Sequence, residues 1–327
     1  MKRLFLVCLS SVVILAGSVY SFAQNPVTLR FADIHPPDYP TTIADFEIAK
    51  IVKEKTNGRV IIEVHHSQKL GDEVSVIKKV RDGEIDLTRM NIAPITAHVT
   101  RLNAFQIPFV FRDGDHMFRV VNGTIGNEMF ADFEKSDFMG FGWLNGGSRS
   151  FYTKKQVTSV NDLKGLRIRT LQSDLMMSMI ESFGAKPFPM PHGDVYEALK
   201  NDRLDGAENN YPTYEVAKHY EVAPYYVEDE HTRNPDPVVG SKKSLTAKLS
   251  RSDMEIIKQA VKEVQPLQLR LWDEKVKASK DKVVAGKSII TTLSPEQKKA
   301  FEDAMKPVYD KQPNEIRDLI KRIQEIK

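Results

Sequence analysis

Residues 27–92 alternate strand-like and helix-like segments, and this order restricts the fold more than any other feature of the chain. The pattern of apolar residues predicts strands at residues 27–34, 59–66 and 85–92. A helix is predicted after each of the first two strands. The first helix runs to about Thr56 and is ended by Asn57-Gly58, and the second covers residues 73–81 and stops near Gly83. A β-α-β-α-β order indicates an α/β fold in which helices cover a parallel sheet.

The length of the chain, 327 residues, exceeds the usual size of one domain and predicts two. Strand-like and helix-like segments continue beyond residue 92. The pair Gly146-Gly147 indicates a hinge or turn. Strands are predicted at 138–145, 166–170 and 238–244, and long helices over 252–283 and 294–324. Two α/β lobes that close on a cleft suit this length and pattern.

The first residues form a targeting segment. Lys2 and Arg3 precede a mostly apolar run at residues 4–15, and a small-x-small cleavage site ends at Ala23. The alternative is a membrane anchor, but the run is shorter than the roughly 20 residues that a spanning helix needs. Ser18 stands where a lipid-carrying cysteine would lie. We therefore predict a cleaved signal peptide at residues 1–23 and secretion through the inner membrane into the periplasm.

Composition excludes several classes of function. The only cysteine, Cys8, lies in the targeting segment, so the mature chain has no disulfide and no thiol chemistry. The whole chain has a net charge of +3, and removal of Lys2 and Arg3 leaves +1. Charges of both signs are mixed without a basic block, which gives no support to nucleic-acid binding. A second long apolar run is absent from the sequence, so we predict that the protein does not itself span a membrane.

Arginine and amide residues concentrate in residues 161–209, and this combination suits a carboxylate ligand. Arginine presents a planar fork of donors that matches a carboxylate in a bidentate way. The strand predicted at 166–170 places Arg167 and Arg169 on one face, so the pattern does not choose between them. The local sequence alone favours a role for both arginines as solvated charges at a strand end.

The same stretch resembles a known family. Its segments LKGLRIR, GAKPFPM, VYEAL and DGAEN are similar to the signature region of the DctP-type solute-binding proteins of TRAP transporters. The resemblance extends to VIIEVHHSQKLGDE, DGEIDL and NGGSRSFYT, and covers nearly the whole mature chain in order. It implies a two-lobed periplasmic binding protein fold, with the ligand cleft between lobes joined by crossing strands and a long helix. We place lobe I at residues 24–146 plus about 235–275, and lobe II at 147–234 plus about 276–327.

The resemblance selects three residues from the arginine and amide set. Arg169 matches the family position at which an arginine pairs with the ligand carboxylate, and Arg149 matches a second ligand-contacting arginine. Asn209, at the end of DGAEN, matches a ligand-contacting amide. The local sequence alone predicts a surface turn at Arg149 and a turn-forming role for Asn209. Two arginines on one acid leave excess positive charge, which Glu208, Glu73 or water in the cleft would offset.

Three further candidates come from the first half of the chain. Arg89 and Asn91 lie on the third predicted strand, and Glu73 begins the second predicted helix. Asn91 ends the strand, and the carboxyl ends of strands line the crevice of open α/β sheets. Arg89 shares its strand face and is either a site residue or a charge at the rim. Glu73 is either a ligand contact or a carboxylate that stabilises the first turn of a helix.

Two histidines complete the predicted site. His35 follows the first strand and is held before two prolines, where related proteins place ligand contacts. His192 matches a position that carries an aromatic residue in some relatives and packs on the ligand. His231 is a weaker candidate. The histidines show no spacing typical of metal ligands, so we predict neither a metal nor another cofactor.

These expectations favour a solute receptor over an enzyme. We expect a periplasmic receptor that binds an organic acid, with a hexuronate such as glucuronate or galacturonate favoured, and delivers it to the membrane subunits of a TRAP permease. C4-dicarboxylates, sialic acid and other sugar acids are alternatives within the family. A secreted hydrolase or lyase acting on uronates would need a pair of carboxyl groups that the sequence does not single out. A receptor of an ATP-driven importer would share the architecture but not the arginine and DGAEN region.

Overall fold

The structure, a computed structural model, describes residues 25–327, so the predicted signal peptide at residues 1–23 lies outside the described residues. The strands are β1 (Val27–Ala32), β2 (Val60–His65), β3 (Leu87–Arg89), β4 (Phe138–Thr153), β5 (Arg167–Thr170), β6 (Lys186–Pro189), β7 (Gly206–Asn209), β8 (Tyr225–Val227), β9 (Thr232–Ser241) and β10 (Ile289–Thr291). The helices are α1 (Pro40–Lys55), α2 (Glu73–Asp82), α3 (Ile92–Ile95), α4 (Asn103–Gln106), α5 (Gly114–Val121), α6 (Thr124–Lys135), α7 (Asp174–Ser182), α8 (Val195–Lys200), α9 (Tyr211–Val216), α10 (Lys242–Lys248), α11 (Arg251–Ala285), α12 (Pro295–Asp303), α13 (Lys306–Asp310) and α14 (Asn314–Glu325).

The strands form one mixed sheet in the order β2-β1-β3-β9-β4-β7-β5-β6, with β8 beside β4 and β10 beside β8. Pairing is parallel at each end, where β1 joins β2 and β3, and β5 joins β6 and β7. In the middle, the long strands β4 and β9 run antiparallel to each other and to their outer neighbours. The predicted α/β fold is therefore confirmed, and β4 and β9 are strands that cross between its two parallel parts.

Strand β4 corrects one sequence-based expectation. Gly146-Gly147 is neither a turn nor the end of a strand, because β4 continues to Thr153. The pairing of β4 with β9 shifts register between Asn145 and Ser148, and Gly147 has a φ of +75°. A pair of glycines is a local signal for a turn, but here it forms an irregularity that bends a paired strand.

Helix α11 confirms the long helix expected from the sequence. Its first half packs on α1, where Ile257 and Val264 share a core with Ile48. Its second half contacts α9, and Val283 shares a different core with Tyr214. One helix therefore spans both parts of this two-lobed fold.

The assignment of residues to lobes stays a prediction. The C-terminal helix α14 packs against α4, and Nε2 of His116 lies 3.0 Å from the carbonyl oxygen of Ile323. The end of the chain thus contacts residues from the segment that we assigned to lobe I. None of the helices within residues 25–327 combines the length and the apolar character that crossing a membrane requires.

Candidate ligand-binding site

All of the site residues predicted from the sequence line one cavity, which holds about 390 Å³ of empty space. The predicted residues are His35, Glu73, Arg89, Asn91, Arg149, Arg169, His192 and Asn209. Their contact with a ligand stays a prediction, but the structure brings them together from elements far apart in the chain.

The sheet explains why these residues meet. His35 and Asn91 follow the carboxyl ends of the parallel strands β1 and β3, while Arg169 and Asn209 lie at the carboxyl ends of β5 and β7. Ligands in open α/β sheets bind where the carboxyl ends of strands meet. The crossing strand β4 adds Arg149 to the same cavity.

Arg169 is a buried cation that has no carboxylate partner among residues 25–327. Only 2% of its surface is exposed, and its Nε and Nη2 both donate to the carbonyl oxygen of Met190, at 3.1 and 2.7 Å. No carboxylate among residues 25–327 forms an ion pair with it, and burial lowers its pKa. Arg167, which the pattern could not distinguish from it, is partly exposed and pairs with Asp205 at 2.8 Å.

Arg149, in contrast, is part of a buried chain of alternating charges. Its Nη2 donates to Oε1 of Glu208 at 2.9 Å, and its Nη1 donates to Oδ1 of Asn209 at 3.0 Å. Beyond Glu208 lies His231, whose Nε2 is 3.5 Å from Oε2 of Glu208, an ion-pair contact, and whose Nδ1 is 2.7 Å from Oδ2 of Asp229. The positive charge of Arg149 is therefore balanced by Glu208, one of the three ways expected from the sequence.

The pKa values in this chain follow from its partners. Burial alone would raise the pKa of the Glu208 carboxyl, but Arg149 and His231 hold it at about 2. Burial would lower the pKa of His231, but Asp229 and Glu208 raise it to about 9. His231 is thus a charged group that holds Glu208, and it does not line the cavity.

Arg89 lines the cavity and is buried, so it is not an exposed charge at the rim. Its Nε donates to Oδ2 of Asp33 at 2.8 Å, and its Nη1 donates to Oδ2 of Asp236 at 3.2 Å. Both aspartates are buried with it. Sequence reasoning missed Asp33 and Asp236, because the pairing of β1, β3 and β9 brings them to Arg89 from distant parts of the chain.

Glu73 serves the fold and faces the cavity at once. It is the first residue of α2, whose N-terminus is capped by Asp72 accepting from the backbone N–H of Ser75. Its Oε1 accepts the backbone N–H of Asn91 at 2.9 Å, and Asn91 in turn caps α3 by accepting from the N–H of Ala93. Burial raises the pKa of Glu73.

The histidines form an uncharged wall. His35 stacks on Tyr39 with ring centroids 3.9 Å apart, and His192 lies 6.1 Å from His35. Burial and then the nearby Arg169 lower the pKa of His192 to about 3, and burial also lowers the pKa of His35 well below its usual value. At neutral pH both rings are therefore neutral and add no charge to the cavity.

Sequence reasoning also missed an aromatic and amide corner of the cavity. Asn210 donates from Nδ2 to the carbonyl oxygen of Gly146 at 2.9 Å and caps α9 through Oδ1. The Tyr39 hydroxyl lies 2.9 Å from that of Thr213, and the Tyr39 ring meets Trp272 edge-on at 5.8 Å. The sequence signal that could have found Asn210 is its position before Tyr-Pro, which is typical of a helix N-cap.

This arrangement can bind an anion that also carries hydroxyl groups. It offers Arg169, a cation without a counter-ion in the described part of the chain, together with several carboxylate and amide groups and aromatic rings. Within residues 25–327, histidine, cysteine, aspartate and glutamate form no group of three or more arranged to hold a metal ion.

Comparisons with known proteins agree with this geometry. The family model for DctP, bacterial extracellular solute-binding protein family 7, matches residues 31–315. A solute-binding protein of Chromohalobacter salexigens is 37% identical over 318 residues, covering 96% of this chain and 93% of that protein.

Two solved structures are similar along almost their whole length. A TRAP periplasmic solute-binding protein from a Bradyrhizobium species, in complex with α/β-D-galacturonate, is 41% identical with a TM-score of 0.88, covering 91% of this chain and 100% of that one. A TRAP periplasmic solute-binding protein from Pseudomonas putida F1, with bound D-glucuronate, is 35% identical with a TM-score of 0.88, covering 92% and 98%.

Proposed function

This chain belongs to the DctP family of bacterial extracellular solute-binding proteins, and from this premise we propose that it is a periplasmic receptor for a hexuronate such as D-galacturonate or D-glucuronate. The receptor binds the acid in the cavity between its lobes and presents it to the membrane subunits of a TRAP permease. Binding and release need no covalent chemistry, so the protein acts as a carrier and not as an enzyme.

The observation that carries this proposal is the state of Arg169. A buried guanidinium with only a backbone carbonyl as acceptor loses its hydration without gaining a counter-charge, which is unfavourable. A ligand carboxylate supplies that charge and matches the fork of the guanidinium. Because Arg149 and Arg89 already have carboxylate partners, one ligand carboxylate suffices.

The remainder of the cavity favours a sugar acid over a bare dicarboxylate. His35, Glu73, Asn91 and Asn209 place polar groups around the same space, and they suit the many hydroxyls of a sugar. The rings of Tyr39 and Trp272 also line the cavity and add apolar surface against which the carbon atoms of a sugar can pack. The similar proteins solved with galacturonate and glucuronate support the same ligand class.

Export and delivery complete the proposed role. The sequence of residues 1–23 has the pattern of a cleaved signal peptide, which would bring the receptor to the periplasm. Similar proteins are described as TRAP periplasmic solute-binding proteins, which supports a TRAP permease as the partner.

A ligand screen on the mature protein, starting at Gln24, tests the proposal. A ligand that binds only the folded state raises the apparent stability by mass action. We expect the melting temperature to rise with galacturonate or glucuronate and to stay unchanged with neutral galactose, which lacks the carboxylate. Recovery of the unaltered sugar acid after incubation would separate binding from turnover. A shift with succinate or malate but not with either uronate would contradict the proposed ligand.

A further inference from the structure

Asp236 brings a second carboxyl group into the cavity that the proposed function does not yet use. It lies on β9 and lines the cavity, with only 4% of its surface exposed. Its Oδ2 accepts from Arg89, while its Oδ1 has no hydrogen-bond partner among the described residues. A buried carboxylate oxygen without a partner is unfavourable, so a group that enters the cavity and donates a hydrogen bond would be stabilised here.

Gly146 makes room for this carboxylate. A Cβ atom at position 146 would lie 2.5 Å from Oδ1 of Asp236 and 2.9 Å from the carbonyl oxygen of Asn234. Neither distance is tolerated between non-bonded atoms. The glycine in β4 thus allows β9 to hold Asp236 against the cavity, which gives a steric reason for glycine at this position.

The side of the cavity near Asp236 is acidic. Arg89 is already paired with Asp33 through Nε and Nη2, so it is shared between two carboxylates. A third aspartate, Asp45, has its pKa raised well above the usual value, by burial and then by Asp33, which disfavours its charged form. Glu73 also lines the cavity and gives it a further acidic group.

On the basic side of the cavity, Arg169 is the cation that can pair with a ligand carboxylate. Arg149 is balanced by Glu208, and Arg169, on β5, is without a carboxylate partner among residues 25–327. One ligand carboxylate therefore finds a counter-ion at Arg169, and a second ligand carboxylate would find Asp236 or Glu73 instead. Like charges placed together in a buried site cost several kcal/mol.

We propose that Asp236 accepts a hydrogen bond from a ligand hydroxyl and excludes acids that carry a second carboxylate. This inference rests on the proposed uronate function and names the residue that sets its substrate class. Specificity of this kind depends on a repulsive element as well as an attractive one, and Asp236 provides both.

Matched ligand pairs test this assignment. Galactarate and glucarate have the carbon chains of galacturonate and glucuronate with a second carboxylate at the other end. Dissociation constants of all four are measured by calorimetry for wild type and for Asp236→Asn at pH 8.5, where Asp236 is ionised although burial raises its pKa to about 7. We expect wild type to prefer each uronate over its diacid. In Asp236→Asn, uronate affinity should fall about tenfold, since an uncharged amide oxygen accepts a hydrogen bond less strongly than a carboxylate does. The preference over the diacid should shrink by about tenfold because the repulsion is removed.

Two further variants keep the test interpretable. Asp132→Asn makes the same carboxylate-to-amide change at an ion pair with Arg101, outside the cavity, and should keep the wild-type selectivity. Asp236→Glu keeps the negative charge and should keep rejecting the diacids while binding uronates more weakly. Circular dichroism of each variant verifies folding, and Asp236→Glu carries the test if Asp236→Asn does not fold.

The outcomes separate this inference from the proposed function. If wild type binds uronates but Asp236→Asn keeps the same selectivity, or if wild type binds diacids as tightly as uronates, the role of Asp236 is overturned and the uronate receptor stands. If wild type binds no uronate, both are overturned.

Discussion

Arg149 and Glu208 form a buried ion pair between the neighbouring antiparallel strands β4 and β7, with Nη2 of Arg149 2.9 Å from Oε1 of Glu208 and 2.7 Å from the Glu208 carbonyl oxygen. Arg169, on the next strand β5, has no such partner within residues 25–327. Two arginines that line the same cavity thus have different roles. Arg149 belongs to the charge balance of the folded protein, and Arg169 is the arginine that we propose pairs with the ligand carboxylate.

The first prediction concerns Arg169. Arg169→Ala should weaken uronate binding by about 2–5 kcal/mol, the range seen when one partner of a buried charge pair is removed. The ligand-free protein should lose much less stability than it does in Arg149→Ala, because the change breaks two hydrogen bonds to the Met190 carbonyl but no ion pair among residues 25–327. Arg169→Lys should also weaken binding, since a point charge does not replace the planar fork. Calorimetry gives the affinities, and urea unfolding without ligand gives the stabilities.

Arg167→Ala is the matched control, because Arg167 lies on the same strand and pairs with Asp205 in partial contact with solvent. Its loss should leave uronate affinity nearly unchanged. Unchanged affinity in Arg169→Ala would place the carboxylate site elsewhere in the cavity.

The second prediction concerns Arg149. Arg149→Ala leaves the Glu208 carboxylate buried without its bidentate partner, and removal of one partner from a buried pair typically costs about 3–5 kcal/mol. We therefore expect a large fall in the free energy of unfolding even without ligand, unlike in Arg169→Ala. The double variant Arg149→Met/Glu208→Gln should recover part of the loss because the buried charge is gone. Equal stability of the two single arginine variants would contradict the division of roles.

Local patterns predicted the strand ends of the site well. The β-α-β-α-β order indicates a parallel sheet, and the carboxyl ends of such strands meet at one edge, which is where Asn91 and Arg169 lie. The pattern did not separate Arg167 from Arg169, because both share a strand face. The resemblance to the family selected Arg169, and the structure gives the physical difference, since Arg167 has an acidic partner on the strand connection and Arg169 has none among the described residues.

The residues that sequence reasoning missed depend on long-range packing. Asp236 lies between two prolines, a local signal for a loop, yet it is on the central strand β9, where Pro235 pairs with Asn145 beside a register shift. Trp272 lies within α11, where an aromatic residue is typical of a core position. Only the crossing of β9 and α11 over the cavity makes either of them a site residue, and local patterns carry no information on that crossing.

The third prediction concerns Gly147. Its φ of +75° strains any other residue, and a Cβ atom there would lie 2.4 Å from Cζ2 of Trp272. Gly147→Ala should therefore cost more than the roughly 1–2 kcal/mol of left-handed backbone strain. It should also weaken uronate binding, because Trp272 lines the cavity. Urea unfolding and calorimetry measure the two effects.

Gly165→Ala separates strain from displacement of the tryptophan. Gly165 has a φ of +77°, and its Cβ atom would meet nothing within 4 Å. This variant should lose stability through backbone strain alone and keep its affinity. Equal losses of affinity in both variants would show that Trp272 is not the cause.

The fourth prediction is a pH dependence from His231. Its pKa in the folded protein is raised to about 9 by Asp229 and Glu208, which outweigh burial, whereas the usual value is 6.5. A raised folded-state pKa gives stabilisation that is fully present below about pH 6.5 and is lost as the pH rises through 9. The stability advantage of wild type over His231→Gln should thus be largest near pH 6 and should shrink by pH 10. An advantage that is constant over this range would mean that His231 is uncharged in the folded protein.

The fifth prediction concerns the stability of the ligand-free protein at Asp236. Burial raises the pKa of Asp236 to about 7 even though Arg89 opposes the shift, and the usual value is 3.8. A folded-state pKa above the unfolded one means that its stabilising contribution is present below about pH 3.8 and is lost as the pH rises through 7. Asp236→Asn cannot ionise, so its free energy of unfolding should increase relative to that of wild type between pH 5 and pH 8. A difference that does not change with pH would mean that Arg89 stabilises the Asp236 carboxylate fully, and that no ligand hydroxyl is needed to do so.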